Sequence, residues 1–246
     1  TDGGRSFNEM STIGSGVGVS LAASDGKIIA VWHDDTDPTA SKILLSQYSD
    51  GTWSSPTQVD KSDAAPVWAA VAIQGEDIYV TWRDDRNGDY SVWLRRYTNG
   101  VWQDEQNLTP TLSGDPDICV EGDYVSVAHH GQRKITLLQS TDGGATFAKG
   151  IAIGQGYFAH ISCTSKVTAV AWEYSTGSAK ATNKQAGWAI YSNSGALIGS
   201  GLFEDIKAAA ATVHINSAST FAEFLWIQVE NTPLVGTLRH HILDLY

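Results

Sequence analysis

Ser140-Thr141-Asp142-Gly143-Gly144-Ala145-Thr146-Phe147 is the stretch on which the fold turns. As a pattern it is S-x-D-x-G-x-T-F. The Asp142 carboxylate can accept N–H bonds from its own turn, as Asp does in Asx-turns. Gly143 and Gly144 allow the positive φ of a tight hairpin. Thr146 and Phe147 restart a strand, and Phe147 is apolar enough to anchor it in a core.

Working outward, the flanking strands recur. Gly26–Asp35 reads as a short alternating apolar strand ending in Trp32 and then turning polar. Glu76–Asp85, Gly122–His130, Lys166–Tyr174 and Thr220–Gln228 repeat it. The landmark positions Trp32, Trp82, Ala128, Trp172 and Trp226 are 50, 46, 44 and 54 residues apart. That period holds four short strands and their turns. A turn comes after each of the first four copies. Tyr48–Trp53 and Tyr97–Trp102 carry the Asp-Gly and Asn-Gly pairs of a type I′ hairpin. Ser192–Leu197 is a decayed version. The N-terminal Thr1-Asp2-Gly3-Gly4-Arg5-Ser6-Phe7 is the opening stretch without its first residue, and His240–Tyr246 reads as the strand leading into it.

The S-x-D-x-G-x-T-F stretch resembles the Asp-box (BNR repeat) of the sialidase-like β-propeller superfamily, with Asp142, Gly144 and Phe147, and Asp2, Gly4 and Phe7, as its structural residues. The resemblance implies that the box joins the two outer strands of a blade. The expected fold is all-β: a five-bladed β-propeller of four-stranded antiparallel blades. Thr1–Phe7 is expected to pair in the last blade, which closes the ring and removes exposed edges. The alternative is a fragment of a six-bladed propeller. The chain reads as one domain, 1–246, with blades at about 14–60, 61–111, 112–153, 154–204 and 205–246 plus 1–13.

Composition fits a compact globule. Of 246 residues, 42% are hydrophobic and 17% charged, with 24 Gly and nine Trp. The net charge of −11 argues against nucleic acid or an anionic membrane as partner. No apolar run approaches the ~18 residues of a spanning helix. No leader is present in this chain, and a secreted, extracellular or cell-envelope protein is expected, as a monomer. Cys119 and Cys163 read as equivalent inner-strand positions and so as buried packing thiols. A bond between them is the lesser option, requiring Cα atoms within roughly 7 Å.

In the family this sequence resembles, the ligand site lies around the axis, on the face opposite the boxes. The loops expected there begin His33-Asp34-Asp35, Arg83-Asp84-Asp85-Arg86, His129-His130, Glu173-Tyr174 and Gln228. The approaches to the first strands add Gly114–Asp117 and Tyr157–His160. One axial pocket is expected, binding a glycan or other small polar ligand through His33, Asp35, Arg83, Arg86, His129, His130, Tyr174 and Gln228. Sugars need aromatic faces and a few polar groups, and Trp68, Tyr90, Tyr157 and Tyr174 stand near these loops. The alternatives are a glycoside hydrolase using Asp34, Asp84 and Glu173 as its carboxylates, and a non-catalytic interaction scaffold. A sialidase would need three arginines for its substrate carboxylate and an Arg-Ile-Pro stretch, and no such tripeptide occurs. No cofactor is expected. Asp84–Asp89 has oxygen ligands at loop spacing that suit Ca²⁺, but its glycine and last acid miss the EF-hand register, and a turn at Asn87-Gly88 explains it.

Overall fold

The computed structural model describes residues 12–37, 40–61, 64–109, 112–175, 185–203, 208–216, 220–231 and 235–245. Thr1–Phe7, with Asp2, Gly4 and Phe7, lies outside the described residues. Among those described there is no helix, and strands form five antiparallel sheets.

Sheet one holds β1 (Val17–Ser24), β2 (Lys27–Asp34), β3 (Lys42–Ser49), β4 (Thr52–Trp53) and β5 (Thr57–Gln58). Sheet two holds β6 (Val67–Gln74), β7 (Asp77–Asp84), β8 (Ser91–Thr98), β9 (Val101–Trp102) and β10 (Gln106–Asn107). In both, the outer strand is broken into two short pieces that pair with the same neighbour, β3 or β8. Sheet three is β11 (Gly114–Glu121), β12 (Tyr124–Gly131), β13 (Lys134–Ser140) and β14 (Ile151–Gln155). Sheet four is β15 (Tyr157–Cys163), β16 (Val167–Tyr174), β17 (Gln185–Ser192) and β18 (Leu197–Phe203). Sheet five shows β19 (Ala208–Ile215), β20 (Phe221–Asn231) and β21 (Val235–Asp244).

The turns have the chemistry their residues dictate. Asp50 and Gly51 have φ of 52° and 84°, and Asn99 and Gly100 have 54° and 79°, the two positive angles of a type I′ hairpin. The Ser140–Phe147 stretch lies between β13 and β14. Thr146 donates to Asp142 from its N–H (2.9 Å) and its hydroxyl (2.6 Å), and Ser140 Oγ donates to Asp142 Oδ1 (2.7 Å). Gly88 N donates to Asp85 O (2.8 Å) with Gly88 at φ 93°, so the acidic loop after β7 is a hairpin turn.

The first strands of successive sheets pack side by side, β1 on β6, β6 on β11, β11 on β15 and β15 on β19. The apolar core is four layers, one between each consecutive pair of sheets. Trp32, Trp82, Trp172 and Trp226 are all buried. Trp32 needs glycine beside it. A Cβ on Gly14 or Gly16 would overlap its indole, whose N–H donates to Ser15 O (2.9 Å). Sheet four repeats the device with Gly154, Gly156 and Trp172, which donates to Gln155 O (3.0 Å).

Two sequence readings are corrected. Strand register puts His129, not Ala128, at the tryptophan position of the third copy, because Gly114 pairs His130 as Val17 pairs His33 and Val67 pairs Arg83. The same register places Cys119 one residue out of step with Cys163. Alternate residues of a strand face opposite ways. The offset therefore turns the two thiols toward each other across sheets three and four, and they form a disulfide with Cα atoms 5.9 Å apart.

Candidate functional site

Each first strand carries a β-bulge at the same place. The pairing slips between Val17 and Ser20, Val67 and Ala70, Gly114 and Asp117, Tyr157 and His160, and Ala209 and Thr212. The residue after the first of each pair has positive φ: Gly18 (66°), Trp68 (55°), Asp115 (38°), Phe158 (51°) and Ala210 (53°). A bulge bends its strand and re-aims a side chain. A bulky residue at positive φ is an outlier that the surroundings must hold in place, and such strain gathers at functional sites.

Here the bulges surround a cavity of about 310 Å³, whose lining includes Gly18, Trp68, Asp115, Asp117, Phe158 and His160. Trp68 is 48% exposed and Phe158 38%, unusual for large aromatics inside a fold. Both line this cavity.

The residue paired opposite the start of each bulge is His33, Arg83, His130, Glu173 or Ile227. Each of the first four reaches the bulge residue of the next sheet. The His33 ring lies 6.2 Å from the Trp68 ring. Arg83 Nη1 is 3.1 Å from Asp115 Oδ1 and its guanidinium stacks on Tyr90 at 4.6 Å. The His130 ring meets Phe158 edge-on at 5.9 Å and Tyr157 at 5.3 Å. Glu173 accepts the N–H of Ala210 (2.8 Å). Gly114 permits the crowding in the middle, since a Cβ there would stand 3.0 Å from Arg83 Nη1 and 3.1 Å from His130 Nε2.

Four buried polar atoms of this cluster have no hydrogen-bond partner: His33 Nδ1, Arg83 Nε, Asp115 Oδ1 and His130 Nδ1. Asp115 Oδ1 is within ion-pair range of Arg83 Nη1, but the two are not aligned as a hydrogen bond. Burial lowers the pKa of both His33 and His130, and Arg83 pushes the same way, while Asp35 and Asp115 oppose it. The imidazoles are therefore neutral near pH 7. With the Arg83–Asp115 pair this gives a polar corner of little net charge. On the opposite wall, a hydrogen bond to Asp117 raises the pKa of His160 (Nδ1 to Oδ2, 3.4 Å).

The carboxylates singled out in sequence have local partners instead. Asp34 accepts the N–H of Thr36 (3.0 Å), which with the Thr36 hydroxyl lowers its pKa. Asp84 is fully buried and accepts the indole N–H of Trp82 (3.0 Å) and the N–H of Arg86 (3.2 Å). The Arg86 guanidinium is clamped between Asp84 and Glu105 and stacks on Trp93 at 3.9 Å. Glu173 is turned to the Ala210 N–H. None of the three lines the central cavity.

Of the binding residues expected from sequence, the structure brings His33, Arg83 and His130 together. Asp35 is exposed and acts on His33 by charge alone. Arg86 faces Asp84 and Glu105. His129 is buried between sheets two and three, and burial pulls its pKa down to about 4. Tyr174 packs on the layer between sheets three and four. Gln228 lies on β20 opposite Ala208, and its side chain is outside the described residues. Sequence reading left Asp115, Asp117, Phe158 and His160 outside the site set. The available signal was their offset: Trp68, Asp115 and Phe158 precede Arg83, His130 and Glu173 by an equal fifteen residues. Among the described residues, no three His, Cys, Asp or Glu side chains come together as a metal site.

No protein-family model and no curated protein matches the chain. Solved structures do. A protein of unknown function from Dyadobacter fermentans is 13% identical, with TM-score 0.61 over 92% of this chain and 78% of its own. A subtype N10 neuraminidase-like protein of A/little yellow-shouldered bat is 10% identical, with TM-score 0.56 over 92% and 80%. The GH43 BlXynB protein from Bacillus licheniformis is 9% identical, with TM-score 0.50 over 92% of this chain, which spans about half the length of that protein (52%). The chain is thus similar in structure to sialidase-like and GH43 proteins, and its fold is a β-propeller.

Proposed function

We propose that the central cavity is a lectin-like site for an uncharged glycan residue. Trp68 and Phe158 offer the apolar faces on which a sugar ring stacks. Asp115, Asp117 and His160 in the lining offer its hydroxyls donors and acceptors, and His33, Arg83 and His130 stand behind the bulges. The observation that carries this reading is the pair of strained, exposed aromatics, Trp68 and Phe158, that line one cavity together with Asp115, Asp117 and His160. The Arg83–Asp115 pair and the neutral imidazoles favour an uncharged sugar over a carboxylated one. Arg95 and Arg96 donate to Gln103 O and Gly143 O, and Arg86 is engaged by Asp84 and Glu105, so these do not supply an arginine cluster. Structural neighbours named as a neuraminidase-like protein and a xylan β-1,4-xylosidase are in keeping with a carbohydrate-related role.

A glycan array and then titration calorimetry test the reading. Neutral oligosaccharides bind, and Trp68→Ala or Phe158→Ala each weakens them about tenfold, some 1.4 kcal/mol. Binding of no glycan sinks it. Hydrolysis of chromogenic glycosides that disappears in Asp115→Asn would make the protein a glycoside hydrolase instead.

The reading includes a ring of five blades. The faces at the two ends of the series are apolar and exposed: Val17, Val19 and Leu21 on β1, and Ile227, Leu238 and Ile242 on β20 and β21. Ala69 and Val71, the counterparts of Val19 and Leu21, are buried against sheet one. Ile227 occupies the position from which His33, Arg83 and His130 reach the next sheet, and Gly18 would be its partner. Closure by Thr1–Phe7 pairing with β21 joins these faces. By the register of sheet three, where Thr136 pairs Ala152, Thr12→Cys with Ile242→Cys should then cross-link within one chain under mild oxidation. Cross-links only between chains, with a dimer by light scattering, would refute closure. The Cys119–Cys163 disulfide accords with an extracellular or cell-envelope location, where such bonds persist.

A further inference from the structure

The tryptophan position repeats through all five sheets, and in sheet three it holds an imidazole. His129 is only 5% exposed. An imidazole is smaller than an indole, and His129 lines a second, surface-open cavity of about 320 Å³ between sheets two and three. This cavity is separate from the central one, with no lining residue in common. Leu108, Leu112 and Leu138 give it apolar walls, and Gln132 and Lys134, both exposed, are among its lining.

Its polar groups derive from the repeat. In sheets one and four the indole N–H donates to a carbonyl seventeen residues upstream, Ser15 O for Trp32 and Gln155 O for Trp172. The residue seventeen upstream of His129 is Leu112. Its carbonyl oxygen lies close under β12, where a Cβ on Gly131 would stand 2.7 Å away. In sheet two the Trp82 indole turns to Asp84 instead, so the use of this carbonyl is particular to sheets one and four, and in sheet three the Leu112 carbonyl stands beside Gly131 with no indole to donate to it. On the other wall, His129 Nδ1 is buried without a hydrogen-bond partner. Burial keeps this imidazole neutral, so it can hydrogen-bond without requiring a charged ligand.

We propose that the cavity between sheets two and three is a second binding site, for a flat aromatic heterocycle of about an indole's size whose N–H donates to the Leu112 carbonyl and whose ring lies against His129. The guest's N–H makes the hydrogen bond that the indole makes in sheets one and four. Removing a ring from a packed interior leaves a void whose lining atoms lack contacts, and a ligand of the deleted shape restores them.

Indole itself is the probe, added to the intact chain carrying labelled histidine. The expected result is a saturable shift of the His129 ring resonances in NMR together with a rise in Tm. His129→Trp should raise Tm without ligand and weaken indole at least tenfold. Should that variant not fold, Leu138→Phe narrows the same cavity from the adjoining strand β13 and should weaken indole likewise. Trp68→Ala should leave the His129 shift unchanged, which separates this site from the central one. Unmoved His129 resonances up to the solubility of indole, equal affinity in His129→Trp or Leu138→Phe, or equal response to the non-planar cyclohexanol would each overturn the proposal.

Discussion

Asp34 and Asp84 end the second strands of their sheets, and the chain treats them differently. Asp34 caps the next turn near the surface, while Asp84 is sealed against Trp82 and Arg86. The difference comes from the partners within reach of each carboxylate: Thr36 in one case, Trp82 and Arg86 in the other, with Arg86 held in turn by the distant Glu105. A charge that is buried and paired is costly to unpair, by about 3–5 kcal/mol. Asp84→Asn should therefore lower stability to urea by about 3 kcal/mol while leaving glycan affinity unchanged, as measured by denaturation and calorimetry. A loss of binding with full stability would return Asp84 to the ligand site. The sequence shows both aspartates in matching polar loops, and Glu105 is invisible to that comparison because it comes from the outer part of sheet two.

At the scale of the element, the Ser140–Phe147 hairpin is legible in advance because its bonds are local. Every partner of Asp142 lies within four residues. The Thr146 hydroxyl and N–H, then the Ser140 hydroxyl, hold its pKa down to about 2. A depressed carboxylate stabilises the fold above its ordinary value of 3.8 and loses that contribution as pH falls through about 2. Thermal melts between pH 5 and 2 should show wild type losing stability over that window. Asp142→Asn should show a lower Tm at pH 5 and a gap to wild type that closes near pH 2. A gap of constant size would mean that the carboxylate's charge has no part in the hairpin. The bulges are elements of the other kind. In sequence a bulge is one extra residue in an otherwise alternating strand. Val67-Trp68-Ala69-Ala70 gives no local sign that Trp68 takes positive φ, because the partner strand β7 imposes that slip.

For the molecule as a whole, stability is spread over layers between sheets instead of one central core. The axis is thereby left for strand ends and bulges, and a cavity can sit there without a hole in the core. The disulfide from Cys119 to Cys163 fastens sheet three to sheet four. The end faces on β1 and on β20–β21 obey the same logic, since each presents the apolar surface that neighbouring sheets bury.

What the amino-acid sequence determined alone is the set of strands, their recurrence and their turns. Those depend on alternation and on Asp, Asn and Gly within a few residues of one another, and local physics decides them. Only the tertiary structure decided which polar groups meet. His33, Arg83, Asp115 and His130 come from three sheets, and their convergence depends on a one-residue slip in each first strand. A slip of one residue turns a side chain to the other face. The slip aimed Trp68 and Phe158 at the cavity, while the pairing of β11 with β12 put His129 at the tryptophan position and brought Cys119 to Cys163.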